Sequence, residues 1–544
     1  MTQMEVDNPF HAGERAAQQR AGVGDVSKWA GGFIRDHLPE QHREFHSALP
    51  FLVISGSDQS GRTWVTLIDG PEGFISSPDA RSLAVHTELR PQDPLADALN
   101  IGANIGVLGI ELASRRRNRL SGFMRKTSGG FTIDVSQTFG NCPQYIHERH
   151  WSRVNHTRHQ PVRYGSELTT QQIKLIAGAD TLFLGSGHMQ GDDTPSRGYD
   201  ASHRGGAPGF VRVENTRRLR IPDYAGNNFF NTIGNLMADP RIGVTFVDFE
   251  NGGLLHFSGR AKIDWSPKNG HDPDALRMID VTVEAVVERP GALNLRWTRD
   301  RTHQLKLRVA RRVDEAEDIT SFYLKSATGT DLPPFEAGQH LPVEVDIPGR
   351  TSPLRRSYSL SGAPQDTSQY RLTIKRDAKG LVSRHFHKAI QVGDQFNASR
   401  PSGTFLIPKG DAPLLLVSAG VGLTPMVSFV HALVAQNTRR QVWFIHGARD
   451  GSNHAFRSEV SGLLARLPNA RQMVFYSRPS RQDVQGEDFH TKGRITPANL
   501  VNLGAGAGAQ YMLCGPASFL SDIQTGLEAT GVPSRNIHIE LFNA

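Results

Sequence analysis

The run Leu414-Leu415-Leu416-Val417-Ser418, followed after Ala419 by Gly420-Val421-Gly422-Leu423-Thr424-Pro425, constrains the fold more than any other stretch of the chain. A strand with no polar face must be covered on both sides, and helices packed on a parallel sheet do this. The pattern predicts a helix over 425–435 and further apolar strands at 442–446, 473–476, 511–514 and 537–540. Residues 409–544 are therefore expected to form a doubly wound α/β domain. Glycines at a strand-to-helix turn let the first helical amides approach a dinucleotide pyrophosphate. Pro425 occupies the place of the third glycine in Gly-x-Gly-x-x-Gly, so the same residues also read as a plain tight turn.

Residues 305–408 carry short strands broken by Gly and Pro, the pattern of a small antiparallel barrel. Its chemical motif is Arg356-Ser357-Tyr358-Ser359. A tyrosine ring can cover one face of an isoalloxazine, a serine hydroxyl can reach its N5 edge, and a guanidinium can pair with a pyrophosphate. Ile374-Lys375-Arg376 leads to Gly380-Leu381-Val382-Ser383. There a glycine admits close backbone approach, and Ser383 is expected to open a helix whose amides face a phosphate. Ser477-Arg478 suits a ribose 2′-phosphate, or is an exposed turn, so the choice between NADH and NADPH stays open. Cys514, ahead of Gly515-Pro516, reads either as a small buried residue or as part of a reaction site.

With 544 residues the chain exceeds what one core can organise, and a net charge of +7 is mild for that length. The clusters Arg115-Arg116-Arg117 and Arg217-Arg218 lack interleaved aromatics. This argues against nucleic acid and for solvated turns or contacts to cofactor phosphates. No apolar run approaches the ~18 residues of a membrane span, and residues 1–22 show no apolar signal region, so a cytoplasmic protein is expected. The only cysteines, Cys142 and Cys514, can build neither a disulfide framework nor a four-thiolate cluster. His147 and His150 are spaced to share one helix face, but nothing nearby completes a ligand set, and no metal is expected.

Upstream of residue 305 the chain repeats a plan. Residues 1–45 are expected to be a helical entry segment, and 46–265 a β-rich domain made twice. In the first copy 51–55 pairs with 63–68, and 106–111 with 119–123. In the second, 181–185 is expected to pair with 209–213, and 243–248 with 255–259. Gly106 to Gly122 and Gly243 to Gly259 span the same sixteen positions, and both stretches end in Ser-Gly. Expected helices at 94–103 and 228–238 precede them, and this agreement predicts duplication. The polar stretch Ser136-Gln137-Thr138 is read as a passage between the copies. Residues 266–304 are read as a connector containing a helix over 274–288.

The ordered set Arg356-Ser357-Tyr358-Ser359, Lys375 with Gly380-Leu381-Val382-Ser383, Gly420 to Pro425, His446-Gly447-Ala448-Arg449, Cys514-Gly515-Pro516 and Glu540-Leu541-Phe542 spans nearly all of residues 305–544. It resembles the ferredoxin–NADP reductase family, and most of all the reductase half of flavohaemoglobins. The resemblance implies FAD in the barrel and NAD(P)H over the parallel sheet. It implies that Tyr358 stacks on the flavin, Ser359 lies near N5 and Phe542 shields the other side. Thr424, Cys514 and Glu540 would line the hydride-transfer site, which makes Ser359, Cys514 and Glu540 the catalytic candidates.

The duplicated blocks resemble the pyridoxamine 5′-phosphate oxidase-like split barrels that bind FMN. The resemblance rests on Ser202-His203-Arg204-Gly205-Gly206, Pro208-Gly209-Phe210-Val211, residues 221–227 and Thr232-Ile233-Gly234-Asn235. It implies FMN or a phosphate at Ser202, His203, Arg204, Asn227 and Thr232. Asn227, Asn228 and Thr232 also read as caps of a helix start. The first copy lacks the Ser-His-Arg-Gly-Gly stretch and is read as degenerate. The expected protein is thus multidomain: a duplicated split β-barrel with flanking helices, an antiparallel β-barrel FAD domain and an α/β NAD(P)-binding domain. Its expected function is NAD(P)H-dependent flavin oxidoreduction, with electrons passing from FAD to FMN or a small acceptor in the N-terminal barrel. The alternative is a carrier reductase serving a separate redox protein, with the N-terminal barrel as a binding or sensor domain. The split barrel is expected either to form a homodimer or to pair its own two halves.

Overall fold

The computed structural model describes residues 8–97, 103–141, 143–155, 160–189, 196–267, 272–299, 304–348, 353–378 and 380–542. The chain divides into two units, Met1–Asp300 and Arg301–Ala544.

The first unit opens with helices Ala12–Ala21, Ser27–Ala30 and Glu40–Ser47. Seven strands follow: β1 (Phe51–Ser57), β2 (Thr63–Asp69), β3 (Ile75–Ser76), β4 (Ser82–Val85), β5 (Ala103–Glu111), β6 (Arg116–Thr127) and β7 (Gly130–Asn141). Two short strands, β8 (His150–Arg153) and β9 (Arg163–Gly165), lead to a second set of seven. These are β10 (Thr181–His188), β11 (Gly198–Gly205), β12 (Arg212–Asn215), β13 (Arg218–Asp223), β14 (Arg241–Asp248), β15 (Gly253–Asp264) and β16 (Arg277–Arg289), and β17 (Leu295–Thr298) closes the unit. The first sheet runs β2-β1-β5-β6-β7-β4-β3 and the second β11-β10-β14-β15-β16-β13-β12, the same path with each strand replaced by the one nine places on.

The repeated Ser-Gly has a structural meaning. The register between β6 and β7 slips at Ser121/Gly122, and that between β15 and β16 at Ser258/Gly259. Each is a β-bulge, with one extra residue on the partner strand: Ser136 on β7 and Glu284 on β16. A Cβ on Gly122 would collide with the carbonyl of Asp134, and one on Gly259 with the carbonyl of Thr282. Glycine is therefore required at the bulge in both sheets. Gly259→Ala is expected to destabilise the unit by about 2–3 kcal/mol, the cost of forced overpacking. Five of the six tryptophans precede residue 300, so a lowered denaturant midpoint in tryptophan fluorescence would report it. An unchanged midpoint would show that the strand relaxes freely there.

The two sheets pack against each other at closely matching places. Gly106 on β5 lies against the backbone of Tyr199 and Asp200, and Gly243 on β14 against the backbone of Trp64 and Val65. The hydroxyl of Thr245 donates to the Val65 carbonyl, and the His256 ring lies 3.0 Å from the same oxygen.

Several expectations fail in this unit. Residues 274–288 are not a helix in a connector; they supply β16, and the 266–304 segment also holds β17, which pairs with β8. The extra residue Glu284 throws the strand's alternation out of phase, so that Val281, Val283, Val286 and Val287 mimic helical spacing. Residues 136–138 belong to β7 for the same reason, since Ser136 is its bulged residue. The partner of β10 is β11, not residues 209–213. The polar-looking Ser-His-Arg stretch is a strand because both of its faces are covered. His147 and His150 lie on no helix; His147 bonds the Gly206 carbonyl and His150 begins β8. Of the expected 94–103 helix, 98–102 lie outside the described residues, while 94–97 form a turn and Ala103 begins β5; Cys142 also lies outside them.

The second unit begins with β18 (Leu305–Ala316), β19 (Ile319–Ser326), β20 (His340–Val345), β21 (Leu354–Ser359), β22 (Tyr370–Lys375) and β23 (Gln395–Ala398), in the antiparallel order β21-β20-β23-β18-β19-β22. A bridge between Leu360 and Leu372 joins the first strand of this order to the last and closes a barrel. Then come β24 (Leu414–Ala419), β25 (Val442–Ala448), β26 (Ala470–Tyr476), β27 (Thr491–Lys492), β28 (Gln510–Gly515) and β29 (Ile537–Leu541). They form a parallel sheet ordered β27-β26-β25-β24-β28-β29, so the winding reverses at β24. Ligands of open α/β sheets bind outside the carboxyl end of the strand at such a reversal. No described helix is long and apolar enough to cross a membrane.

Candidate functional site

The carboxyl end of β24 is where the second unit gathers its chemistry. Ser418 lies opposite Cys514 on β28, and Cys514 opposite Glu540 on β29, so three adjacent strands carry these residues in a row. Gly420, with φ +57°, and Gly422 turn the chain into helix Leu423–Ala435. Gly422 sits so close to the Cys514 carbonyl that a Cβ there would collide with it. The buried Thr424 donates its hydroxyl to Val421 O at 3.1 Å. Pro425 lies in the helix's first turn, where a missing N–H costs nothing. Burial, and then the charge of Glu540, push the Cys514 thiol well above its usual range, so it stays protonated. Pro516 caps the following helix, and Phe542 packs half-buried on the core beneath.

On the barrel, Arg356, Ser357, Tyr358 and Ser359 lie on β21, paired with β20. The Tyr358 ring meets Phe386 edge-on at 5.8 Å, and burial raises its phenol. Ser359 is buried, and its hydroxyl has no hydrogen-bond partner among the described residues. A buried hydroxyl left unsatisfied costs about 1–3 kcal/mol. A ligand atom that hydrogen-bonds it would remove that cost. Lys375 is exposed at the end of β22. Helix Leu381–Lys388 starts after Gly380 with no side-chain cap, which leaves amides of its first turn facing outward. The helix opens two residues before Ser383, whose hydroxyl instead holds the loop through Gly380 O and Asp377 N. Ile374 and Val382 send their side chains into the barrel core, so only their backbone can meet a cofactor.

Ser477 and Arg478 follow β26, and their amides donate to Ala448 O and Arg449 O at 3.0 and 2.8 Å. Arg449 and Arg478 are both exposed, giving that sheet edge two guanidiniums. No local pattern marks Arg449 for this role; only the pairing of β25 with β26 brings it there.

In the first unit a pocket between the two seven-strand sheets is lined by Arg117, Arg119, His203, Arg204, Asn227 and Thr232, with Arg277 opposite. Ser202 lies beneath it and accepts from Arg119 at 2.6 Å and Arg204 at 2.7 Å. His203 Nδ1 faces Arg117 at 3.2 Å, and its buried Nε2 has no hydrogen-bond partner among the described residues. Burial, then Arg117, hold this imidazole well below its ordinary range, so it is neutral. The Thr232 hydroxyl donates to Asp200 at 3.2 Å. Asn227 and Asn228 do not cap the helix. The cap of Asn231–Ala238 is Phe230, in a left-handed conformation, and Asn227 binds Asn141 and the Phe229 amide.

Residues 306–407 match the oxidoreductase FAD-binding domain family, and 416–525 the oxidoreductase NAD-binding domain family. The chain is an FAD-dependent oxidoreductase. The flavohemoprotein of Deinococcus radiodurans is 38% identical over 235 residues, 43% of this oxidoreductase and 58% of the relative. That of Bacillus subtilis is 36% identical over 235 residues, with the same shares. The chain thus spans less than two thirds of these relatives' length. Among solved structures, the flavohem-like FAD/NAD-binding domain of nitric oxide dioxygenase from Vibrio cholerae is 29% identical. The match covers 44% of this chain and 100% of that one, with a TM-score of 0.39.

One part of the oxidoreductase went unanticipated. Arg371 on β22 makes a bidentate pair with Glu459, at 2.7 and 2.8 Å, and His431 joins the same carboxylate at 2.7 Å. This ties the barrel to helices Leu423–Ala435 and Arg457–Leu464 of the α/β domain. No local signal marks a partnership 88 residues apart. Burial alone would raise the Glu459 carboxyl, but hydrogen bonds from His431 and Arg371 outweigh it and hold it at about 2. With the folded value depressed, the clasp contributes fully above the unfolded value of 4.5 and is lost as pH falls towards 2. The carboxylate is 29% exposed, so its contribution is set at roughly 1–2 kcal/mol. Denaturant midpoints followed by flavin release should fall between pH 4.5 and 2 more steeply in the native protein than in Glu459→Gln. Parallel profiles would remove the clasp from the account.

Proposed function

We propose that this oxidoreductase takes hydride from NAD(P)H onto FAD and passes the electrons to FMN or a small acceptor in its N-terminal unit, in the cytoplasm. Bound FAD supplies the chemistry, accepting a two-electron hydride and releasing electrons onward. The observation that carries the reading is the row Ser418, Cys514 and Glu540 beside the Gly420–Gly422 turn, at the reversal point of the parallel sheet. The residues present fit the group. Arg356 and the uncapped amides after Gly380 would hold its phosphates, Tyr358 would cover the ring, and the buried, unpartnered Ser359 hydroxyl would meet the N5 edge. Phe542 would shield the opposite face. Thr424, Cys514 and Glu540 would orient the nicotinamide and exclude water, with Cys514 acting as a neutral thiol. Gly422, Gly515 and Pro516 would shape the pyrophosphate path, and Ser477 with Arg478 would meet the ribose.

The N-terminal unit is proposed to be a duplicated split barrel of the pyridoxamine 5′-phosphate oxidase type. The shared strand path of its two sheets supports this. Relatives named flavohemoproteins raise a haem acceptor as another possibility. A globin is built from eight packed helices. The described residues before 300 form mainly antiparallel sheet, and their longest helix has ten residues, which favours a flavin. Anaerobic mixing of the purified chain with NADH or NADPH tests the reading. Bleaching of FAD followed by a second flavin supports internal delivery. FAD bleaching with electrons leaving only to an added redox protein supports the carrier alternative. A flavin that neither nucleotide bleaches overturns the reading.

A further inference from the structure

The tautomer of His203 is fixed by its neighbour. The ring lies buried on β11, with Phe183 edge-on at 5.8 Å. Its Nδ1 stands 3.2 Å from Nη1 of Arg117 on β6. A guanidinium has donors and no acceptor, so Nδ1 is the acceptor in this bond. A neutral imidazole carries one N–H, which is therefore on Nε2. A second proton would have to sit on Nδ1, donor against donor with Arg117. Burial opposes that proton first, and then Arg117, His147, Arg204 and Arg149.

The Nε2–H so fixed is buried and has no hydrogen-bond partner among the described residues. Asn141 Nδ2, Arg119 Nε and Arg204 Nε, on residues lining the same pocket, are further buried donors without a partner there. These arginines already face carboxylates. Arg119 lies 3.3 Å from Asp200, and Arg204 and Arg277 lie 3.5 and 2.8 Å from Asp223. Both Arg119 and Arg204 also donate to Ser202. What the pocket leaves unmet is therefore hydrogen-bond donors, and a buried donor is costly until an acceptor meets it. The walls are partly aromatic: Tyr224 and Phe230 line the pocket, and Tyr145 stacks on Tyr224 at 5.1 Å. A planar ring fits beside such side chains.

We infer that the pocket takes a ring ligand bearing a carbonyl oxygen, that His203 binds this oxygen through Nε2–H, and that Arg117 is the positioning residue that keeps the proton on that nitrogen. An uncharged donor suits an uncharged acceptor. A phosphate would favour a second proton on the imidazole, and Arg117 occupies the side where that proton would go. A carbonyl oxygen has two lone pairs, so it can meet more than one of the clustered donors. Flavin rings and quinones both carry such an oxygen. The inference rests on the reading of Ser202, His203 and Arg204 as a cofactor site, and adds to it the chemistry of the contact and the part of Arg117.

Equilibrium dialysis of the full chain against lumiflavin, menadione, FMN and inorganic phosphate tests it, with FAD quantified chromatographically so that exchange at its own site is subtracted. Binding of lumiflavin would make a flavin ring the source of the carbonyl, and binding of menadione a quinone. Whichever ring compound binds should weaken about tenfold in His203→Leu, the loss of one hydrogen bond, and roughly twofold at most in His203→Gln, which keeps a donor near the same place. Inorganic phosphate should respond to neither substitution. Arg117→Met should weaken the ring compound by roughly threefold or more in the native background, yet have no effect in His203→Gln, because an amide has no tautomer to set. Retained FAD and an unchanged circular dichroism spectrum would certify each variant as folded. A ring compound and FMN that bind His203→Leu as tightly as the native chain, or phosphate that alone weakens in it, would overturn the inference and leave the cofactor reading intact. An equal effect of Arg117→Met in both backgrounds would overturn its positioning role. No binding of FMN or of either ring compound would overturn both the inference and the cofactor reading.

Discussion

Ser359→Ala is expected to slow bleaching of the bound flavin by NAD(P)H about a hundredfold, the typical cost of removing one preorganised donor at a reacting centre. FAD content and stability should barely change. The Ser359 hydroxyl makes no hydrogen bond within the described protein, so its removal breaks none. What the fold contributes is confinement: Ser359 is 5% exposed at the end of β21, with His340 opposite it on β20. A hydroxyl fixed there by its strand needs no reorganisation when charge develops beside it. Stopped-flow traces under saturating nucleotide measure the step directly. A rate within threefold of the native protein would remove Ser359 from the catalytic set. A loss of FAD instead would make it a binding residue.

The second large effect is expected at Gly422. Gly422→Val places a branched side chain against the Cys514 carbonyl, which is backbone and cannot turn aside. The turn must move away from β28, at about 2–3 kcal/mol of stability for the overpacking. It also carries the helix amides away from the place where a pyrophosphate would lie. The nucleotide concentration giving half-maximal bleaching should rise at least tenfold, with FAD still bound to the barrel. A comparison with Gly420→Ala separates strain from displacement. At Gly420 nothing crowds a Cβ, and the cost is only the left-handed backbone, about 1–2 kcal/mol. Equal effects from the two substitutions would mean that close packing on Cys514 is not what shapes the site.

The parallel sheet was legible because each strand is an unbroken apolar run between turn residues, as at Leu414 to Ser418. The Cys514–Glu540 neighbourhood was legible only through resemblance, since the register that sets them side by side joins β28 to β29. The Ser-Gly spacing marks the strand path that both sheets share, yet the same feature is the source of the two main misreadings. A bulge adds one residue to the opposite strand and breaks a period of two. Ser136 was therefore read as a passage, and the stretch around Glu284 as a helix. The Arg371–Glu459–His431 clasp and the place of Arg449 left no trace in local pattern, because both arise from pairing across the fold.

Joining both sheets of the N-terminal unit in one polypeptide changes how that unit responds to dilution and to mutation. Two separate subunits would part as their concentration fell below the dissociation constant. Tethered halves meet at an effective concentration on the order of millimolar, whatever the amount of protein in the cell. A symmetric dimer also repeats every substitution at both of its sites. Here a single codon alters one side only.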